Sequence, residues 1–469
     1  MNNLLQKDQD KIHELLNYAL VKGLNYLDQI NVLPTSVKVE GVQSEGLSNL
    51  GLGGKKTLSE FTERFESLMV ASTGPRYWGF VTGGATPAAL MGDLLATIYD
   101  QNTQTDKGHG DVSALIEFET IQLLLDLFDL PKDYLGGFVT GATMSNFSCL
   151  AVGRQWLGKQ KGIDIAKEGI HTPLKVLSAC PHSSAIKSLA MLGIGSSNLV
   201  SVNTLGSTRE AMDVEDLILK IEELNGEPFM LITSGGTVNT VDYDDFEAIS
   251  QLRKKYNFWW HIDAAFGGFA VLSLEHGHLL KGWEHADSIT IDGHKWLNVP
   301  YESAFFFVKE KHKLIQVETF QNSNAPYLGD PLDNFNYLNF LPENSRRFKA
   351  LAAWFTLKAY GKEGYKEIIS RNIKQAQKLG SFIENSKDFE LLAPVRLNTV
   401  CFTLKDVRDK AEVENFLSRL NDTGKVFMTP TIFNGRSGIR AALVNWRTTD
   451  EDVSLVQDLM QTAINKTVQ

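Results

Sequence analysis

Cysteine is scarce in this chain: three residues in 469, Cys149, Cys180 and Cys401, odd in number, far apart and with no CxxC pair. That pattern argues against a disulfide framework and against a cysteine-based structural zinc site. No run of about 18 apolar residues occurs, so no membrane span is expected. The opening stretch "MNNLLQKDQDKIHELL" lacks the apolar core of a signal peptide, which makes the cytoplasm the expected location. There is no basic stripe, and the 46 Lys and Arg against 56 Asp and Glu give a net charge of −10, so no nucleic-acid partner is expected. A phosphate-binding glycine loop is missing too. The cluster in "EGLSNLGLGGKKTLSEF" has Lys56 where a P-loop needs Ser or Thr after Gly54-Lys55, and the same Lys56 breaks GxGxxG. We read that stretch as a linker. Internal repeats and low-complexity segments are absent.

What remains is ordinary globular composition, 43% hydrophobic and 22% charged, with length for two or three structural lobes. Residues 1 to about 33 have leucines near helical spacing (Leu5, Leu15, Leu16, Leu20, Leu24) and predict an amphipathic helix ending before Pro34. From about 75 to 320, apolar runs alternate with helical stretches. The runs are "GGFVTG", "KVLSA", "NLVSV", "FMLIT", "FWWHIDA" and "SITID". Such alternation predicts a mainly parallel sheet covered on both faces, whose ligands bind at the carboxyl ends of its strands. From about 343, a long helix "SRRFKALAAWFTLKAYG" leads to the strand candidates "LNTVCFTL", "KVFMTPTIF" and "GIRAALVN" and to a last helix. The expected division is 1–72 as an N-terminal arm, 73–342 as the large domain and 343–469 as a small C-terminal domain.

The strand ends carry the chemistry. Asp263 follows "FWWHI", where a carboxylate is costly unless it is paired or caps a turn. "GFVTGATMSNF" is a strand, a tight turn at Gly141-Ala142-Thr143 and a helix, either a plain helix start or a phosphate cup. His182 enters another helix, with Ser183 or Ser184 as a candidate N-cap. Thr233 ends "FMLIT". "SITIDGHKWLNVP" delivers Asp292, His294 and Lys295 together. A phosphate cup, a stacking ring, a carboxylate and a lysine are the four things a pyridoxal phosphate site requires. Its lysine forms a Schiff base and its carboxylate keeps the pyridine nitrogen protonated.

These motifs resemble the group II pyridoxal-phosphate-dependent amino acid decarboxylases, a family that includes the aromatic-L-amino-acid, histidine and glutamate decarboxylases. The resemblance runs from about residue 73 to 450 through "GPRYWGFVTGGATPAALMGDLLA", "TGATMSNFSCLAVGR", "PHSSAIKSLAMLG", "HIDAAFGG" and "DGHKWLNVPYES". It implies an α/β fold of the aspartate-aminotransferase type (fold type I), with a mainly parallel seven-stranded sheet. It implies pyridoxal 5'-phosphate as cofactor and loss of CO2 from an L-amino acid through a Schiff base on Lys295 and a quinonoid. By resemblance, Asp263 pairs with the pyridine nitrogen, Ala265 lies under the ring and His182 stacks above it. Ala142 and Thr143 hold the phosphate, His294 is a further phosphate or active-site contact, and Thr233 sits near the ring. Thr82 falls at a substrate-side position. A loop tyrosine returns the proton, and here Tyr337 is preferred to Tyr327. The resemblance also implies a homodimer with the active site at the subunit interface.

The substrate stays open at this level. Trp78, Phe80 and Phe340 favour an aromatic side chain, Arg76 and Lys358 an acidic one, and we lean to the aromatic. Arg440 suits either a structural ion pair, which we favour, or the carboxylate clamp of an aminotransferase. The rival readings are therefore an aminotransferase or carbon–carbon lyase on the same fold, and a catalytically silent cofactor-binding protein. Asp292 stands where the family often has Asn. An acid there would repel a phosphate, so it is expected to turn away or to bond a backbone N–H.

Overall fold

The structure is a computed structural model that describes residues 3–104, 112–321, 336–406 and 409–465. Seven strands form the central sheet: β1 (Tyr134–Val139), β2 (Lys175–Ser178), β3 (Leu199–Ser201), β4 (Phe229–Ser234), β5 (Phe258–Asp263), β6 (Ser288–Asp292) and β7 (Ala304–Lys309). Their order across the sheet is β1-β7-β6-β5-β4-β2-β3. The pairs from β3 to β6 are parallel. The last strand, β7, runs antiparallel to both β1 and β6. β4 to β7 are buried along their whole length, which is why they read as continuous apolar runs rather than as alternating ones. Two cores form, one on each face of the sheet. Leu231, Trp260, Ile262 and Ile289 face one, and Met230, Ile232 and Trp259 face the other.

The six apolar runs all form strands. The small sheet holds the three strands expected from the sequence, β9 (Thr399–Leu404), β10 (Thr429–Phe433) and β11 (Arg436–Ala442), and a fourth that was not expected, β8 (Phe389–Leu391), in the antiparallel order β8-β9-β11-β10. The long helix extends further than the sequence suggests, from Ala350 to Glu384. Gly361 breaks it with a left-handed φ of 59°. Only a glycine adopts this backbone readily, and the chain returns to helix at once. Leu357 before the break and Ile369 after it join the core under the large sheet; farther along, Ala376, Leu379 and Ile383 join the small one.

The linker reading needs correction. Residues 45–53 are irregular, but Gly54–Arg64 is a helix, with the Gly54 N–H bonded to Asp8 Oδ2 at 2.8 Å. The N-terminal segment is two helices, Asn3–Asp10 and Ile12–Asp28, and neither has a buried residue. Its apolar stripe of Leu16, Leu20, Val21 and Leu24 stays about half exposed within the single chain. Among the described residues no helix is long and apolar enough to cross a membrane.

Candidate active site

The parallel strands bring Ser234, Asp263 and Asp292 to one edge of the sheet as the last residues of β4, β5 and β6. They open on a cavity of about 400 Å³. Phe80, Ala142, Thr143, His182, Ala265, His294 and Lys295 line it with them. Eight of the expected residues thus share one space, counting Asp263 with these seven.

Asp263 is buried and held by neutral donors. Its Oδ1 accepts the Ala265 N–H at 3.2 Å, and its Oδ2 accepts Asn146 Nδ2 at 2.8 Å. Behind Asn146 a relay runs through the sheet. Trp259 Nε1 donates to Ser288 Oγ at 3.1 Å, Ser288 Oγ meets His261 Nδ1 at 2.9 Å, and His261 Nε2 meets Asn146 Oδ1 at 2.8 Å. For Asn146 Oδ1 to accept, His261 must carry its proton on Nε2, so the network assigns the neutral tautomer. Burial agrees, pushing the His261 pKa down to about 4. Asn146 Nδ2 also donates to Ser184 Oγ at 3.0 Å, and Ser184 Oγ lies 2.7 Å from His182 Nδ1. One amide therefore ties Asp263 to His182.

His182, not a serine, is the N-cap of the helix Ser183–Met191: its Nδ1 accepts the Ser184 N–H. That leaves the proton on Nε2, and burial lowers the ring's pKa. The helix Ala142–Gln160 starts at Gly141 with no side-chain cap. Its first-turn N–H groups and positive dipole end suit an anion.

Lys295 lies in the turn after β6. Its Nζ is 2.8 Å from Asp292 Oδ2 and 5.7 Å from the centre of the Phe266 ring. Asp292 therefore neither turns away nor bonds a backbone N–H with its side chain. It faces the lysine instead, because its own N–H bonds Ala265 O and holds the strand end in place. His294 Nδ1 accepts the Ser303 N–H, its ring stacks on Tyr301 at 4.3 Å, and burial lowers its pKa. Gly83 is required close by, since a Cβ there would come within 1.6 Å of the Lys295 carbonyl oxygen.

Other expected residues fall elsewhere. Thr233 points away from the cavity: its Oγ1 accepts Trp260 Nε1 at 2.9 Å, and strand alternation hands the lining position to Ser234. Trp78 is core of the small domain, with Nε1 on Pro75 O. Thr82 lines a neighbouring cavity, where its hydroxyl lies 3.2 Å from Tyr301 Oη. Tyr337 is buried against the Arg346 guanidinium at 4.9 Å, outside this chain's cavity. Tyr327 lies outside the described residues. Phe340 is core, Arg76 pairs with Asp452, and Lys358 sits 5.9 Å from the Trp354 ring. Arg440 does line the cavity. It forms no ion pair among the described residues, contrary to the favoured reading; Nη1 bonds Val238 O at 3.1 Å, and Nε has no partner.

Residues 56–405 match the family described as "Pyridoxal-dependent decarboxylase conserved domain". This chain belongs to the pyridoxal-dependent decarboxylases. An aromatic-L-amino-acid decarboxylase of Catharanthus roseus is 25% identical over 403 residues, 82% of this chain and 79% of that one. A phenylacetaldehyde synthase of a Rosa hybrid cultivar is 27% identical over 423 residues, covering 83% and 81%. The Oryza sativa TDC structure with PLP and tryptamine superposes with a TM-score of 0.89, at 20% identity, over 98% and 99% of the two chains.

The decarboxylase is thus a pyridoxal-phosphate-dependent carboxy-lyase acting on an amino acid. Its site fits the cofactor. Asp263 is fixed by neutral donors and keeps its charge available for a cationic ring nitrogen. Ala265 would offer a small contact, the Gly141 helix start would suit the phosphate, and Lys295 would supply the amine. Among the described residues no group of three His, Cys, Asp or Glu is placed to hold a metal ion. Asn146 and His261 were missed in the sequence, Ser184 was read only as a candidate N-cap, and Ser234 was passed over for Thr233. Asn146 had a readable signal, being one helical turn from Ala142 on the same face.

Proposed function

We propose that the decarboxylase converts an aromatic L-amino acid to its primary amine and CO2. The observation that carries this reading is the make-up of the cavity. Phe80, Val81, Phe266 and Val238 give it apolar walls, and neither cation considered for an acidic side chain, Arg76 or Lys358, lines it. The names of the relatives, among them a tryptophan decarboxylase of Camptotheca acuminata and a tyrosine decarboxylase of Petroselinum crispum, point the same way.

Bound pyridoxal phosphate supplies the sink for the electron pair left when CO2 departs. The chain's part is positioning and charge. Asp263 would set a negative charge against the cofactor's ring nitrogen, and its bond from Asn146 keeps the carboxylate from rotating. His182 presents a flat neutral ring whose orientation Ser184 holds. Lys295, at the cavity wall, would hold the cofactor through its side-chain amine. Proton return to the substrate carbon falls to a tyrosine. The burial of Tyr337 against Arg346 favours Tyr327, reversing the earlier preference.

The uncovered stripe of Leu16, Leu20 and Leu24 supports a homodimer that buries it, with the site at or near the interface. The acidic net charge agrees with a cytoplasmic protein. Incubating the loaded enzyme with each common L-amino acid and measuring amine and CO2 tests the substrate. Tryptamine, tyramine or phenylethylamine is expected. Turnover confined to acidic amino acids would overturn the aromatic reading and give Arg440 the side-chain carboxylate. Sedimentation of wild type against Leu20→Glu tests the dimer.

A further inference from the structure

β6 ends in a carboxylate that the cofactor chemistry above does not use. Asp292 is 1% exposed, one of its oxygens is 2.8 Å from Lys295 Nζ, and the other has no hydrogen-bond partner. A carboxylate this deep is tolerated only beside a positive charge. His294 Nε2 is 3.8 Å away against 2.8 Å for Lys295 Nζ, so the lysine is the nearest cationic partner. The other groups facing this space are Asp263 from β5, His182 from the next helix and Arg440 from β11. Asp263 already has its own donors.

We propose that Asp292 is the standing counter-ion of the Lys295 nitrogen, both as a free ammonium and after that nitrogen has bonded to the cofactor. The inference rests on Lys295 being the cofactor lysine. Charge balance makes one carboxylate suffice for both states. When an ammonium condenses with an aldehyde, the C=O bond breaks and a C=N bond forms. Two N–H hydrogens leave with the oxygen as water, and the nitrogen keeps one hydrogen and one positive charge. Attack itself needs a neutral amine, and Asp292 Oδ2 is at hydrogen-bond distance to take that proton and pass it to the departing oxygen.

The test begins with a double-mutant cycle on the cofactor-free protein. Asp292→Asn alone is expected to lower Tm by at least about 2 °C, by removing one partner of a buried pair. In the Lys295→Ala background the same change should leave Tm unchanged or raise it, because it removes an orphaned carboxylate. If Asp292→Asn does not fold alone, the cycle is read from the double variant, whose folding then counts as the expected rescue. The second arm follows the absorption of the bound cofactor against pH. Loss of the counter-ion should move the titration of the protonated form down by at least about one pH unit. Equal Tm losses in both backgrounds, or an unmoved titration, would overturn the proposal. Protein that fails to take up pyridoxal phosphate would sink the cofactor reading instead, and the cycle would still decide the pair.

Discussion

Two neighbouring strands end in aspartate at the same sheet edge, and their surroundings give them different work. At the end of β5, Asp263 is held by an amide and a backbone N–H, both neutral. At the end of β6, Asp292 faces the chain's own lysine and has one oxygen open. A carboxylate fixed by neutral donors keeps its full charge for a ligand. A carboxylate beside a lysine has already spent that charge inside the chain. The residue type is the same at both positions, so the donors decide the role.

The largest test of this contrast removes the charge of Asp263. Asp263→Ala should lower kcat by about 10²- to 10³-fold, the scale of a lost electrostatic stabiliser, and weaken cofactor binding in a titration. An effect no larger than that of Asp292→Asn would dissolve the distinction. Asn146→Ala leaves both carboxylates in place but frees one oxygen of Asp263. A lost hydrogen bond to a charged group is worth about 1.5–3 kcal/mol, so roughly 10-fold or more in kcat is expected, with a changed circular dichroism of the bound cofactor. A variant that loses Tm but keeps both signals would show that Asn146 only packs.

His261 gives a pH signature on the Asp263 side alone. Its folded pKa is about 4, below the ordinary value near 6.5. Between those values the unfolded chain binds a proton that the folded one refuses. Stability should therefore fall as pH drops from about 6.5 toward about 4, by up to roughly 3 kcal/mol, and no further from this group below that. Asp244, raised to about 6 by burial, acts in the opposite direction. The measurement is thus the difference in slope between wild type and His261→Asn in urea melts at several pH values, and equal slopes would refute it. The smallest effect is expected at the rim. Phe80 is 61% exposed and holds a left-handed φ of 56°. Phe80→Ala should raise KM for an aromatic substrate several-fold, in line with about 1 kcal/mol for a partly exposed apolar contact, and leave kcat nearly unchanged.

The sheet was legible because buried strands and amphipathic helices leave a period that needs no tertiary information, and all six apolar runs became strands. The candidate cofactor groups were legible because parallel strands must deliver their last residues to one edge. Thr233 was misread because period-two alternation makes a one-residue difference a change of face, and Ser234 took the lining position. Trp78 was misread because an aromatic near a motif looks the same in sequence whether it lines a pocket or fills a core. Asn146 and His261 were missed because a relay links residues 115 apart in the chain, and no local pattern records that pairing.

By itself, then, the sequence determined the layers and the cofactor and pointed to the lysine proposed to carry it, since these follow from periodicity and from residue types at strand ends. Only the tertiary structure decided which polar partner each of those groups received. Asp292 shows the limit most clearly. Its letter predicted repulsion of a phosphate, but burial beside an amine turned it into a counter-ion, because a carboxylate's role is set by the charges and donors within a few ångströms of it.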